Sequence, residues 1–197
     1  MKEFEELKEE LLKRAKEHHA CTYQYRRALK AETWDQLMSV IRDNFTWASD
    51  ARVLTSKLIS KYEKRFASYK IYANKSVKGG FILVDGNTRI ETTDATKVFA
   101  LDNAEVVMRG KGWIKAMHHA KITAFDYTYM TLLDDVTAEI HDHCIAFAFH
   151  NANITAYDYT KVYAKDLVTI QAYDNVSVYS THTAICHLHD NATLDKD

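Results

Sequence analysis

The sequence predicts a mainly β protein, an octapeptide-repeat β-solenoid preceded by a small α-helical N-terminal cap. Three observations predict this fold. Residues 94–197 divide into thirteen consecutive blocks of eight without an insertion, each block alternates apolar and variable residues, and helical apolar spacing is found in the first 70 residues or so. We therefore expect an α-helical head over residues 1–72 and a β-solenoid over residues 73–197.

The head shows helical spacing in three places. Apolar residues recur at helical positions from Phe4 to Leu12, among lysines and glutamates. A second helix is predicted to start at Thr33, whose hydroxyl and the Gln36 side chain can cap the first turn, and a third starts near Thr55. Such a head is expected to cap the solenoid, because an open end exposes unpaired strand edges, and a partner-binding head is the alternative.

The octad has a fixed chemical pattern at each position. Position 5 is filled by apolar residues such as Ile122, Ile154 and Val178, and positions 3 and 7 are mostly small. Apolar residues at every second position predict a strand that buries one face. Position 1 is Asp in nine of the thirteen blocks, and position 2 is often Asn or another polar residue, which turns the chain without proline.

A strand and a corner of this length cannot enclose a core alone, so the octads must wind into stacked coils. With two octads per coil, residues sixteen apart stack, and aromatic residues at position 6 fall on one face. One edge then alternates Asp and His at position 1, which we interpret as relief of repulsion along an Asp column. Three octads per coil scatter both patterns, so the sequence favours sixteen-residue coils, with 24-residue coils as the alternative.

Charged residues are distributed unevenly along the chain. Residues 1–77 hold 16 Lys and Arg against 11 Asp and Glu, whereas residues 78–197 hold 10 against 16. An acidic solenoid is not expected to bind nucleic acid directly. No apolar run is long enough for a bilayer, the N-terminal residues lack the apolar stretch of a signal peptide, and we expect a cytoplasmic protein with no membrane partner.

The sequence points away from enzymatic chemistry, cofactors and metals. It contains no nucleophile elbow, glycine-rich phosphate loop or zinc-protease helix. Eight of the ten histidines lie in the repeat, but pairs such as His141 and His143 flank a corner and are expected to diverge. Cys144 and Cys186 occupy inward positions, where a thiol behaves as a small hydrophobe. We expect no catalytic, cofactor-binding or metal-binding residues.

Aromatic residues supply the candidate functional surface. With sixteen-residue coils, one face carries a strip of rings on consecutive coils, and further rings lie near it. Exposed rings on a rigid sheet are typical anchors for a protein partner or a second copy, although stacked rings also stabilise a sheet by themselves. The candidate residues are Phe147, Tyr163 and Tyr179 in the strip and Tyr127, Tyr159 and Phe149 nearby.

The octads of the type DNAxVxAx and HNANITAY, together with the helical segment ALKAETWDQLMSVIRDNFTWA, resemble octapeptide-repeat proteins of gut bacteria, their phages and mobile elements. The resemblance covers nearly the whole chain. It implies the solenoid architecture and a bacterial or phage setting, but it carries no reaction and no functional residue to this sequence.

These observations leave three hypotheses of function. The first is a protein-binding module, with an inhibitor of a bacterial defence system as one form of it, acting on an unidentified host protein. The second is a self-assembling structural protein or homodimer. The third is an acidic mimic of nucleic acid, which the dilute charge of the repeat favours least.

Overall fold

A computed structural model describes residues 2–196. The chain divides into two compact units, with the boundary after Ala73. The first unit is helical and the second is a β-solenoid of about seven turns. Each unit has its own buried core. The described residues include no helix that is both long and apolar enough to span a membrane.

The described part of the first unit has six helices, whereas the sequence predicts three. Helix α2 (Thr22–Leu29) buries none of its side chains and α4 (Phe45–Asp50) has only six residues, so neither shows a recognisable apolar period. The predicted third helix, with Leu58, Ile59, Tyr62 and Phe66 on one side, is divided at Tyr62 into α5 (Ser56–Lys61) and α6 (Glu63–Ser68). The elements are α1 (Lys2–Glu17), α2 (Thr22–Leu29), α3 (Trp34–Asp43), α4 (Phe45–Asp50), α5 (Ser56–Lys61), α6 (Glu63–Ser68) and the short strand β1 (Ile71–Ala73).

Two of the predicted helix starts are confirmed by their caps. The Thr33 hydroxyl accepts the backbone N–H of Gln36 at 3.3 Å, and the Gln36 side chain in turn accepts the N–H of Glu32 at 2.7 Å. The Thr55 hydroxyl accepts the N–H of Leu58 at 3.2 Å. Each cap satisfies a helix N-terminal donor that has no partner within its own helix.

The second unit consists of short strands. Nearly all of them have four residues, and nearly every octad contributes one strand. The strands are β2 (Lys78–Val84), β3 (Arg89–Ala100), β4 (Glu105–Met108), β5 (Trp113–Ala116), β6 (Lys121–Ala124), β7 (Tyr129–Leu132), β8 (Thr137–Ile140), β9 (Ile145–Ala148), β10 (Asn153–Ala156), β11 (Lys161–Ala164), β12 (Thr169–Ala172), β13 (Ser177–Ser180), β14 (Ile185–Leu188) and β15 (Thr193–Lys196).

Two octads make one coil, as the sequence favoured, and the 24-residue alternative is wrong. Each strand from β4 onward pairs in parallel with the strand two places away, so that Ile154 lies beside Ile170 and Tyr163 beside Tyr179. Strand β2 and the odd-numbered strands from β5 to β15 belong to sheet A, and the even-numbered strands from β4 to β14 belong to sheet B. The long strand β3 contributes one half to each sheet.

The core lies between the two sheets and is built from octad positions 3, 5 and 7. Ala152, Ile154 and Ala156 of one octad are all fully buried, whereas Thr155 between them is only partly buried. Small residues at positions 3 and 7 allow the two sheets to approach closely around the larger residues at position 5. The predicted inward and outward faces are therefore confirmed.

Candidate protein-binding face and the ladders beside it

The outer face of sheet A carries a stack of aromatic rings, which we call the sheet-A column: Tyr129, Phe147, Tyr163 and Tyr179. The ring centroids of Phe147 and Tyr163 lie 4.8 Å apart and those of Tyr163 and Tyr179 also 4.8 Å, with the planes within 8° and 11° of parallel. The Tyr129 ring tilts by 38° against Phe147. Phe147, Tyr163 and Tyr179 occupy position 6, which projects outward once per coil, so the strand spacing sets their ring spacing. Tyr129 occupies position 4 and reaches Phe147 diagonally, since Thr131 is the residue in register with Phe147.

Stacking buries the ring faces in the middle of this column and leaves both ends accessible. Tyr129 is 41% exposed and Tyr179 is 37% exposed, whereas Phe147 and Tyr163 are partly buried. Thus Phe147, Tyr163 and Tyr179 of the predicted strip do come together. Their rings are fixed by each other, and the column offers a rigid apolar contact surface with tyrosine side chains at its accessible ends.

The other three candidates lie elsewhere. Tyr127 and Tyr159 sit at the corner where sheet B passes into sheet A, and they stack on opposite faces of His143 with centroid distances of 5.1 and 5.5 Å. Both are strongly exposed, at 58% and 60%. Phe149 follows strand β9 at the opposite corner and is partly buried. The structure therefore divides the six candidates among three places.

A further column at octad position 8 was not recognised from the sequence. His141 stacks between Phe125 and Tyr157, with both centroid distances 4.8 Å, and Tyr157 stacks on Tyr173 at 5.2 Å, which stacks on His189 at 4.4 Å. Applying the sixteen-residue separation to position 8 would have found it. His141 and His143 consequently belong to separate columns, as their predicted divergence required.

An Asp ladder runs between these two columns at the same corner. The backbone N–H of each position-1 residue donates to the carboxylate one coil later, from Gly110 onward to Asp190, at 2.8 to 3.2 Å. These aspartates have φ between 55° and 62°. Asp is suited to this position because it tolerates the left-handed backbone better than most residues and its side chain accepts an N–H.

The opposite corner uses Asp and His in alternation for the same purpose. The N–H of His118 donates to Asp134 Oδ2 at 3.1 Å, and Nδ1 of His150 lies 3.2 Å from the Asp134 nitrogen and 3.0 Å from Asp134 Oδ1. Nδ1 accepts the N–H when it carries no proton and donates to the carboxylate when it carries one. Burial by itself would raise the pKa of Asp134, but the His118 N–H and the His150 imidazole outweigh it and lower that pKa. The unbroken Asp ladder at the other corner has the same N–H to carboxylate bonds without histidines, and relief of repulsion by the alternation stays a prediction.

Each of the two ladders includes a glycine at position 1: Gly86 donates its N–H to Asp102 Oδ2 at 3.2 Å, and Gly110 donates to Asp126 Oδ2 at 2.8 Å. Gly110 adopts φ 79°, and an added Cβ there would collide with the Asp94 carboxylate. That carboxylate accepts the N–H of Lys111 at 2.9 Å, so the first corner is bonded in the reverse direction. At this first corner Ala95, not Asp94, takes the left-handed conformation, with φ 60°.

The surface around the aromatic residues becomes acidic along the solenoid. Residues 122–197 contain three lysines and eleven Asp and Glu residues, whereas residues 78–121 contain seven basic and five acidic residues. Near the start of the corner columns, Arg109 lies 4.1 Å above the Phe125 ring and Lys111 lies 5.7 Å above Tyr127. The later coils thus combine stacked rings with carboxylates.

The titratable side chains beside these columns offer little reactive chemistry. Burial raises the pKa of the Cys144 thiol to about 11, which leaves it protonated near neutral pH. Within residues 2–196, no group of three or more His, Cys, Asp or Glu side chains is arranged to hold a metal ion. Rings, hydroxyls and carboxylates in fixed ladders are instead suited to non-covalent recognition. Comparison of the chain with protein-family models, with curated proteins and with solved structures gave no match.

Proposed function

We propose that the protein is a non-enzymatic protein-binding module that presents the sheet-A column to a protein partner. The observation that carries the proposal is the parallel stacking of Phe147, Tyr163 and Tyr179 on a flat sheet. Their conformation is set before binding, so little side-chain entropy is lost when a partner covers them. Tyrosine is also among the residues most often responsible for binding energy at interfaces.

The surrounding charge favours a partner with a basic patch beside its apolar contact surface. Seven of the eleven acidic residues in the last coils lie at octad position 1, on the corners that flank the column. The outward positions of sheet A itself, from β7 to β15, carry one lysine and one aspartate, Lys161 and Asp195. A partner that covers the column and an adjacent corner therefore meets carboxylates, and a homodimer through sheet A is the alternative. The resemblance to phage and mobile-element proteins supports a bacterial cytoplasmic setting and, as one form of this function, inhibition of a host defence protein.

The Asp ladder supports a second candidate, mimicry of nucleic acid. Asp126, Asp142, Asp158, Asp174 and Asp190 place one carboxylate on each of five successive coils, ~4.8 Å apart. A protein with a basic nucleic-acid groove would bind this edge and not the rings. Substitutions in the column and in the ladder therefore distinguish the two candidates.

The experiment replaces both Tyr163 and Tyr179 by Ser and compares the variant with Thr155→Ser/Gln171→Ser on sheet B. Tagged full-length chains are used to capture partners from a bacterial lysate, and sedimentation velocity measures self-association. We expect the column variant to retain its fold and to lose at least ~2 kcal/mol of association free energy, with the control unchanged.

Two results would contradict the proposal. If the column variant melts well below the control, the rings serve sheet packing. If it stays folded and binds the captured partner as the unmodified chain does, the column is not the binding surface. Loss of binding in Asp158→Asn/Asp174→Asn, with the column variant unaffected, would instead support nucleic-acid mimicry.

A further inference from the structure

Helix α2 of the first unit presents an unusually exposed surface. None of its eight residues is buried, Tyr23 is 69% exposed, and Leu29 at its end is 51% exposed. A helix of two turns is not stable by itself in water, so it normally buries an apolar face. Here Tyr23 and Leu29 are exposed, while Tyr25 and Ala28 are half-buried.

Three adjoining concavities lie along helix α2, and together we call them the α2 groove. The central one is a cavity of about 60 Å³, lined by α1, α2, α3 and α4. It shares Ala20 and Tyr25 with the concavity at Lys16 and His19. It shares Val40 with the concavity at Arg27 and Lys30. The groove therefore has an apolar centre, a basic end at Lys16 and His19, and a mixed end where Arg27 and Lys30 lie near Asp35.

The central cavity is suited to an aliphatic side chain. Its walls include Leu12, Ala15, Ala28, Val40 and Trp47. Its apolar walls offer water few hydrogen-bond partners. Trp47 at its edge is itself 38% exposed. An apolar side chain inserted here would cover Trp47 and exclude water from the cavity.

The charge around the groove indicates the charge that a ligand should carry outside its apolar anchor. Residues 13–30 contain six basic residues and one acidic residue, Glu17, and α3 adds Asp35 to the groove wall, where it accepts the Tyr69 hydroxyl at 2.8 Å. Arg14 and Arg27 are engaged by Glu10 and Asp43 at 2.6 and 2.8 Å. Lys13, Lys16, Arg26 and Lys30 are exposed in the same segment. A ligand that reaches both ends of the groove therefore meets lysine or arginine at each of them.

We propose that the α2 groove binds an acidic amphipathic helix of a partner protein. One aliphatic residue of that helix enters the central cavity, and its acidic residues face Lys16 and Lys30. Amphipathic helices commonly lie in apolar grooves in this way, with apolar anchors three or four residues apart. Nucleic acid fits a basic end but not an apolar central cavity, and this surface is separate from the sheet-A column.

The test uses a fluorescent acidic peptide with leucines at i, i+3, i+4 and i+7 and glutamates elsewhere. A scrambled peptide of the same composition and a peptide with lysine in place of glutamate are the controls. Anisotropy is measured with the full chain, with Lys16→Glu/Lys30→Glu and with Lys57→Glu/Lys64→Glu. The last variant makes the same charge change at exposed lysines outside the groove.

We expect the acidic peptide alone to bind, and we expect the Lys16→Glu/Lys30→Glu variant to weaken its binding at least about tenfold. The Lys57→Glu/Lys64→Glu variant should bind within about twofold of the unmodified chain, because its charges lie outside the groove. Equal circular dichroism spectra and melting temperatures exclude unfolding as the cause of the loss.

Several outcomes would overturn the proposal. These are failure of the acidic peptide to bind, equal binding of the scrambled peptide, and an equal loss in both glutamate variants. Displacement of the bound peptide by a random-sequence DNA duplex at lower concentration than by unlabelled peptide would also overturn it and would assign the groove to nucleic acid.

Discussion

The backbone N–H of Asp142 donates to the carboxylate Oδ2 of Asp158, sixteen residues later, at 2.9 Å. Both residues adopt left-handed backbone, with φ of 58° and 59°. An aspartate at octad position 1 therefore turns its own corner and also satisfies the corner of the preceding coil. This double role explains why the repeat keeps Asp at this position and needs no proline.

The corner ladder predicts a specific cost for removing one side chain. Asp142→Ala loses the acceptor for the Asp126 N–H, now bonded at 2.9 Å, and places alanine at a positive φ. We expect the free energy of unfolding to fall by ~1–2 kcal/mol. Asp142→Asn should cost much less, because asparagine tolerates this backbone and retains an acceptor oxygen. Urea unfolding measures both, and equal losses would contradict the ladder.

The packing of the core predicts that substitution by Asp has opposite effects on stability at two adjacent residues. Ile154 is fully buried, so Ile154→Asp places an unpaired carboxylate between the sheets and should cost several kcal/mol. Thr155 points outward on sheet B, and Thr155→Asp should be tolerated. Thermal melts followed by circular dichroism measure the difference. Equal tolerance at the two positions would mean that the inward and outward faces are misassigned.

The lowered pKa of Asp134 predicts that the free energy of unfolding depends on pH. The His118 N–H and the His150 imidazole lower its pKa in the folded state despite partial burial, so folding favours the charged carboxylate. This contribution is present above the unfolded pKa of ~3.9 and is lost as the pH falls through the lower folded pKa.

Asp134→Asn should therefore be less stable than the unmodified chain at pH 6. The difference should shrink as the pH falls below about 4, and urea unfolding at several pH values measures it. A difference that is constant from pH 6 to pH 2.5 would show that the charge of Asp134 contributes nothing.

The three cysteines are predicted to react very differently. Burial raises the pKa of Cys144 to about 11, and its thiol is shielded in the core, whereas Cys21 is exposed and Cys186 is intermediate. At pH 8, iodoacetamide should label Cys21 first and leave Cys144 unmodified in the folded chain. Mass spectrometry of peptides locates the label. Modification of Cys144 as fast as Cys21 would contradict the closed core.

The sequence was sufficient for the architecture of the repeat because its signals are local and recur. The inward positions follow from the alternation of apolar and variable residues along each octad. The sixteen-residue coil follows because it places Phe147, Tyr163 and Tyr179 on one face and Thr155 and Gln171 on the other. The corner bonds were not predictable in detail, since each joins residues on different coils. Only the structure shows that the position-1 side chain accepts the backbone N–H of the preceding coil, whereas at position 2 the Asn103 and Asn151 amides bond the side chains of Asn87 and Asp135 on the preceding coil.

The site was predicted less completely than the fold. The strip at position 6 was found, but Tyr127 and Tyr159 stack through His143, and Phe149 lies at the other corner. The position-8 column escaped notice because histidines interrupt its aromatic pattern, although an imidazole ring stacks as well as a phenyl ring. Helix α2 was missed because it has no buried stripe to give it a period.

Every ladder and column depends on the sixteen-residue coil, and paired spin labels test it most directly. Labels are attached at Thr155→Cys and Gln171→Cys, or at Thr155→Cys and Tyr179→Cys, in a chain carrying Cys21→Ser and Cys186→Ala. Thr155 and Gln171 are neighbours on sheet B, so strands ~4.8 Å apart predict strong dipolar broadening for the first pair. Residues 155 and 179 lie on different sheets, so the second pair should show little broadening. Strong broadening for residues 155 and 179, and not for 155 and 171, would contradict the two-octad coil.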